Sequence, residues 1–300
     1  MPTQIDDSLT QLSQALASRV AAAAPLVAAI GIGQRRPLAG IVWRAGVVVT
    51  SEQALPEAES FPMSVAGAAV QATFAGRDPR TNVAVLKFEA GAAPPGWTAA
   101  ALPLPGSLAL VLGAGLLGAG PDARMAMVRR VGAEWHSMAG GRIDHLLRLD
   151  LLLANGADGG PVLDASGALL GMATSGPRKQ ALVIPHQTIA RVLEPLLARG
   201  RVPRAWLGLG LQPVSIPETL REAAGQKRGL MVVALANDGP AGPAGILPGD
   251  ILLTLDGVAA GRPTGLSSML AAEHIGRLVD ARIIRAGNLL VVPIRLTERP

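Results

Sequence analysis

The sequence predicts a mainly β chain in two parts: an all-β barrel or sandwich, then a compact α+β unit. Three observations carry this. Residues 26–184 are a series of short apolar runs broken by Gly, Pro and Asp, and close-spaced short strands with turn signals between them make closed or sandwiched antiparallel sheets. After residue 200 the rhythm changes, with longer strand patterns around two helical stretches. A length of 300 residues also suits about two domains.

Taken in order, residues 8–24 read as a helix, because Leu9, Leu12, Leu16 and Val20 recur at three- and four-residue intervals. Candidate strands follow at 26–32, 40–49, 68–75, 83–89, 107–112, 125–132, 146–151, 161–163, 168–174 and 181–184. Asp164-Ala-Ser-Gly167 is a hairpin turn, with Asp opening it and Gly supplying positive φ. Residues 186–199 read as a helix with Ile189, Val192, Leu193, Leu196 and Leu197 on one side and Gly200 at the C-cap. Pro195 should bend or interrupt it. Arg201-Val-Pro-Arg204 reads as a linker. The last part carries strands at 206–212, 230–236, 250–255, 280–285 and 289–296, with helical patterns near 217–224 and 264–275.

Composition narrows the function classes. Hydrophobic residues make up 49% and charged residues 16%, enough to bury a core. The net charge of +5 is spread out; Arg35-Arg36 and Arg129-Arg130 are only pairs, without the basic stripe and aromatics of a nucleic-acid binder. The absence of cysteine excludes disulfides, thiolate nucleophiles and zinc–thiolate sites. His136, His145, His186 and His274 have no metal-ligand spacing, so neither metal nor cofactor is expected. The opening Met1-Pro-Thr-Gln-Ile-Asp-Asp carries acid where a signal peptide carries positive charge, and Val20–Ile32 is too short to span a bilayer. The expectation is a soluble cytoplasmic protein.

Four segments carry a family resemblance. Asn155-Gly-Ala-Asp158-Gly-Gly-Pro161 resembles the serine-nucleophile loop G-N-S-G-G-P of trypsin-like proteases, with Asp150 in Leu147-Arg-Leu-Asp150 matching the Q-T-D stretch before it. Gly76-Arg-Asp-Pro-Arg-Thr-Asn82-Val-Ala-Val-Leu-Lys87 is similar to G-x-D-P-x-T-D-L-A-V-L-K. Val47-Val-Val-Thr50-Ser-Glu-Gln53-Ala-Leu55 resembles V-V-L-T-N-x-H-V-V, and Leu182-Val-Ile-Pro185 resembles the F-A-I-P strand before a domain-closing helix. In order and spacing these resemble the HtrA-type serine proteases. The resemblance implies a two-barrel trypsin-like (chymotrypsin-fold) domain over 26–200, after an N-terminal helical segment at 1–25.

The departures fall on the residues of the chemistry. By the resemblance, Gln53 stands at the base, Asn82 at the carboxylate that orients it and Asp158 at the nucleophile. A serine protease needs a hydroxyl nucleophile, a base to take its proton and a carboxylate to hold the base. Asp158 is a poor attacker of an amide, and Gln53 has no titratable proton to exchange. A carboxylate at Asp158 also opposes the oxyanion that the family's loop, here Gly156, Ala157 and Asp158, would bind. No catalytic residue is therefore assigned. Val111-Leu-Gly113-Ala-Gly115-Leu-Leu-Gly118, with Glu134 downstream, fits G-x-G-x-x-G, but Ala119-Gly120-Pro121-Asp122 disfavours the helix that a dinucleotide site needs there.

The last hundred residues resemble a PDZ domain of α+β type over 201–300. Trp206-Leu-Gly-Leu209 resembles Y-L-G-V, Gly229-Leu-Met-Val-Val233 resembles G-V-x-V, and Gly239–Leu252 followed by Asp256-Gly257 resembles S-P-A-x-x-A-G-L-x-x-G-D-x-I with its N-G turn. A PDZ groove takes a peptide C-terminus as an added strand. The resemblance places peptide binding at Trp206, Leu207, Gly208 and Leu209, with Leu266, Met269 and Leu270 from a helix at 264–275. The expectation is a non-catalytic HtrA-like adaptor or regulator of protein or peptide C-termini. The alternatives are an endopeptidase with a non-standard site and a structural subunit of a larger complex. The resemblance also implies a homo-oligomer, a trimer assembled through the N-terminal segment.

Overall fold

The computed structural model describes residues 4–33, 36–89, 96–116, 120–154, 156–261 and 263–300. The chain divides into two compact units, Met1–Ser137 with Arg142–Arg201, and Met138–Gly141 with Val202–Pro300.

The first unit opens with helix α1 (Gln4–Ala23) and holds two six-stranded barrels. Barrel one comprises β1 (Val27–Ile30), β2 (Leu38–Arg44), β3 (Val47–Ser51), β4 (Ser60–Val65), β5 (Ala68–Asp78) and β6 (Val83–Phe88), closed in the order β1-β2-β3-β6-β5-β4. Its interior is filled by Ile30, Val42, Val48, Phe61, Met63 and Leu86. The run expected as one strand at 40–49 is two, β2 and β3, which meet in a hairpin at Ala45-Gly46. β4 escapes the sequence pattern because Pro62 interrupts it. Phe61 and Met63 still point inward there, and Pro62 lies beyond the β1 pairing, which stops at Met63.

Barrel two comprises β7 (Leu108–Gly113), β8 (Asp122–Gly132), β11 (Leu146–Leu152), β12 (Pro161–Asp164), β13 (Leu169–Ser175) and β14 (Gln180–Pro185), in the order β11-β14-β13-β12-β7-β8. A short hairpin of β9 (Trp135–His136) and β10 (Arg142–Ile143) lies between β8 and β11. Val111, Val128, Leu147, Leu149, Val162 and Val183 fill this barrel. Gly118 of the G-x-G-x-x-G pattern lies outside the described residues. Gly113 ends β7, and β8 returns antiparallel to it, so the βαβ unit of a dinucleotide site is not formed.

Helix α2 (His186–Arg199) follows β14 and buries Ile189, Val192, Leu193 and Leu196. Contrary to expectation, it runs unbroken through Pro195. The buried face on both sides of the proline holds the helix, and Gly200, left-handed at φ 70°, closes it by donating to Leu196 O.

The second unit holds a short pair, β15 (Ala205–Trp206) with β22 (Thr297–Glu298), and one larger sheet. The sheet runs β16 (Leu209–Ser215), β17 (Arg228–Leu235), β18 (Ile251–Leu255), β20 (Leu278–Arg285) and β21 (Asn288–Arg295), with β19 (Val258–Ala259) on β18. Helix α3 (Glu218–Ala224) agrees with the pattern at 217–224. The helix expected at 264–275 is instead three 3-10 turns, Pro263–Leu266, Ser268–Leu270 and Ala272–His274. Gly265, Ser267 and Ser268 favour helix weakly. Ala271 turns extended (ψ 160°) and cuts the run, while Leu266 and Met269, three apart, both reach the core.

Candidate functional site

The three sequence-selected positions of the first unit converge where its barrels meet. Ser51 ends β3, and Gln53 sits in the 3-10 turn that follows. Asn82 precedes β6 after the turn Asp78-Pro-Arg-Thr81, which Asp78 ties by accepting from Thr81 Oγ1 at 2.7 Å. Asn82 itself is left-handed at φ 58°, a conformation Asn tolerates better than most residues. Asp158 lies in the loop before β12; Asn155 of that loop is outside the described residues.

Hydrogen bonds join these side chains. Asn82 Oδ1 accepts from the Gln53 backbone N–H at 2.7 Å, and Asn82 Nδ2 donates to Thr174 Oγ1 at 2.5 Å and to Ser51 Oγ at 3.1 Å. Gln53 Nε2 faces three acceptors: Thr174 Oγ1 at 2.9 Å, Ser175 O at 3.1 Å and Asp158 Oδ2 at 3.5 Å. Asp158 Oδ2 also accepts from Ser175 N at 3.3 Å. Asp158 Oδ1 is buried with no partner among the described residues. Burial is the largest influence on the Asp158 carboxyl and pushes its pKa up, against hydrogen bonds from Ser51, Gln53, Ser175 N–H and Thr174.

Ser51, Thr174 and Ser175 belong to this site, and sequence reasoning missed them. Hydroxyls at strand ends carry no signature of their own; the available signal was that Ser51 lies two residues before Gln53. Among the described residues, no histidine hydrogen-bonds to Gln53, Asn82 or Asp158; His186 instead contacts Ala100 O at 3.3 Å. No cluster of metal-ligating side chains is found among the described residues. In the loop, Gly156 is at φ 89°, and Ala157 N–H donates to Ala154 O at 3.1 Å. A cleft of about 610 Å³ opens beside Asp158, lined by Leu38, Gln53, Leu153 and Ser175, with Arg36 and Lys179 supplying positive charge.

In the second unit, β16 is an edge strand paired with β17 on one side only. Trp206 lies in β15 and is half-buried. Gly208 at φ 72° passes so close to Gly239 that a Cβ would strike its Cα, so the chain enters β16 there only as glycine. The structure divides the expected peptide contacts. Leu207, Leu266 and Met269 are core residues at 4%, 1% and 6% exposure. Leu209 and Leu270 are half-buried, and Leu211, which the sequence reading omitted, joins them against the core.

Comparisons with known proteins agree with this architecture. Residues 39–172 match the trypsin-like peptidase domain family and residues 207–296 the PDZ domain family. A probable periplasmic serine endoprotease, DegP-like, of Brucella suis biovar 1 (strain 1330) is 27% identical over 282 residues, covering 89% of this chain and 54% of the relative. Its counterpart in Pseudomonas fulva (strain 12-X) is 25% identical over 272 residues, covering 87% and 55%. The chain thus spans about half the length of these curated relatives. Among solved structures, the HtrA-type protease AlgW with decapeptide superposes at TM-score 0.73 with 22% identity, covering 95% of this chain and 98% of that one. The serine endoprotease from Yersinia pestis gives 0.72 with 23% identity, covering 95% and 98%. The relatives are described as periplasmic, which overturns the cytoplasmic placement. That expectation rested on the acidic opening residues and a missing leader pattern, and such an absence does not fix a compartment. Among the described residues no helix is long and apolar enough to cross a membrane.

Proposed function

This is an HtrA-type chain, a trypsin-like peptidase domain followed by a PDZ domain, and from that premise we propose that it works as a non-catalytic adaptor or regulatory subunit in the periplasm. The observation that carries the reading is the hydrogen bonding of Gln53. Its carboxamide occupies the place of the general base and spends its two N–H groups on Thr174, Ser175 and Asp158. It has no lone-pair nitrogen to accept a proton, and residue 158 carries a carboxyl in place of the hydroxyl nucleophile. Peptide recognition then belongs to the open edge of β16. A C-terminal segment adds there as a strand, its last side chain against Leu209, Leu211 and Leu270, its carboxylate on the backbone of Trp206–Leu209. A library of C-terminal peptides tested against the full chain should yield binders that Leu270→Glu abolishes; a library with none would contradict the adaptor reading.

A second reading, an endopeptidase with a non-standard site, is favoured by the names of the relatives, which are serine endoproteases. Under it, the chain would release fragments from a fluorogenic casein, and Asp158→Ala would stop the release. The adaptor reading expects no release from either protein.

A further inference from the structure

The sheet of the second unit has two edges, β16 at one end and β21 at the other. β21 pairs with β20 alone, in an unbroken register from Leu278↔Arg295 to Arg285↔Asn288. The hairpin between them is a two-residue turn with positive φ at both residues, Ala286 (47°) and Gly287 (83°). Such a turn makes Arg285 and Asn288 a hydrogen-bonded pair. Alternation then aims the backbone groups of Asn288, Leu290, Val292 and Ile294 at β20, and those of Leu289, Val291, Pro293 and Arg295 outward. Pro293 fits this assignment, because its place in the ladder asks for no donor. The side chains along the open stretch are apolar and uncovered: Leu289 is 38%, Leu290 39% and Val291 60% exposed. Strand edges in natural proteins are blunted by Lys, by Pro or by a covering segment. Here residues 288–294 carry no charge, and Pro293 closes the edge only at its far end.

We infer that a second copy of this chain pairs antiparallel on this edge, joining two PDZ sheets through β21. The occupant follows from the fit of the edge to itself. Outward backbone groups must meet outward groups, which leaves few registers. An axis at Val291 or Val292 puts Pro293 opposite an outward residue, and a hydrogen bond is lost at each end. An axis at Leu289 runs Val291 into the Ala286-Gly287 turn. An axis at Leu290 avoids both: Leu289 of each copy faces Val291 of the other, and each such pair exchanges both backbone bonds. Leu290 then meets Leu290, Leu289 meets Val291, and no charge opposes a like charge. Arg295 lies outside the contact and donates to Gly276 O at 2.8 Å. A two-fold contact closes on itself, so it gives a pair rather than a fibre. β16 lies at the far end of each sheet, so the pair offers two peptide edges instead of one. The inference goes beyond the adaptor reading and stands without it.

The chain has no cysteine, so a single introduced thiol reports the contact without background. Leu290→Cys in the full chain puts the two thiols on the axis. Residues of a non-hydrogen-bonded pair are about 4.5 Å apart at Cα, within disulfide reach. Mild oxidation should convert this variant to a covalent pair on a non-reducing denaturing gel, which counts such pairs whatever else the chain assembles into. Val291→Cys is the control. It is the more exposed position, but it sits one residue off the axis, with the two Cα atoms about 8 Å apart and beyond a disulfide. Mixing Val291→Cys with Leu289→Cys should restore the crosslink. Sedimentation of the parent and of Val291→Lys gives an independent reading: the lysine sets two positive charges in the contact and should halve the mass of the parent. Crosslinking that follows exposure, with Val291→Cys ahead of Leu290→Cys, overturns the inference. So does a parent whose mass Val291→Lys leaves unchanged. These readouts involve neither peptide binding nor proteolysis, so the inference and the proposed function fail separately.

Discussion

Removing the Asp250 carboxylate should loosen the second unit more than most surface changes. Asp250 stands before β18, with its side chain only 1% exposed. It accepts from Arg285 Nε at 2.8 Å and Nη2 at 2.7 Å, and from Leu247 N–H at 2.8 Å. Taking one partner from a buried pair costs about 3–5 kcal/mol. Arg285 is 31% exposed and keeps a bond to Gly245 O at 2.7 Å, so it can rehydrate and the cost falls to the low end. Asp250→Ala should therefore lose about 3 kcal/mol, with Leu247 N–H left unpaired as part of it. For a unit of this size that is on the order of 10–20 °C in melting temperature. The loss should depend on pH. Burial raises the Asp250 pKa, but the Arg285 hydrogen bond, Leu247 N–H and the guanidinium charge together hold it below the ordinary carboxylate value. A lowered acid stabilises above its unfolded pKa, and that contribution disappears as pH falls through the folded value. Differential scanning calorimetry of the full chain, followed from pH 7 to pH 2, measures both. A variant that melts within about 3 °C of the parent at pH 7, or a gap unchanged down to pH 2, would refute the reasoning.

Asp158 should show the opposite sign. Its pKa is raised by burial, so its stabilising contribution is complete below the ordinary carboxylate value and is lost as pH rises through the raised one. The melting of the first unit should fall across that rise, and Asp158→Asn should flatten the profile. Gly160→Ala should cripple folding, because a Cβ would sit on the Leu112 carbonyl; a soluble, normally melting variant would contradict this. Leu266→Ala, in the core, should cost about 2–5 kcal/mol. Leu270→Glu, at the half-buried edge, should leave the fold and remove peptide binding; the pair is read by melting and by fluorescence titration with a peptide.

The barrels were legible because most strands alternate or run apolar between Gly, Pro and Asp punctuation, and because their cores are packed by apolar side chains, aliphatic throughout in barrel two. Where the signal failed, a competing local rule explains it. Pro62 masked β4, and a two-residue turn inside a continuous apolar run hid the Ala45-Gly46 hairpin. At 264–275 the three- and four-residue spacing of Leu266, Met269 and Leu270 imitated an α-helix, while Gly265 and the serines allowed only 3-10 turns. Gln53, Asn82 and Asp158 were legible because they sit in register within longer motifs. Thr174, the hub that accepts from both carboxamides, was not, since a buried threonine in a strand reads as ordinary sheet.

The most direct test of the account is a peptidase assay on the purified chain with fluorogenic casein across pH 5–9. The account predicts no fragment release above background, and identical traces for the parent and Asp158→Ala. Release by the parent that disappears in Asp158→Ala would show a working catalytic centre and contradict it.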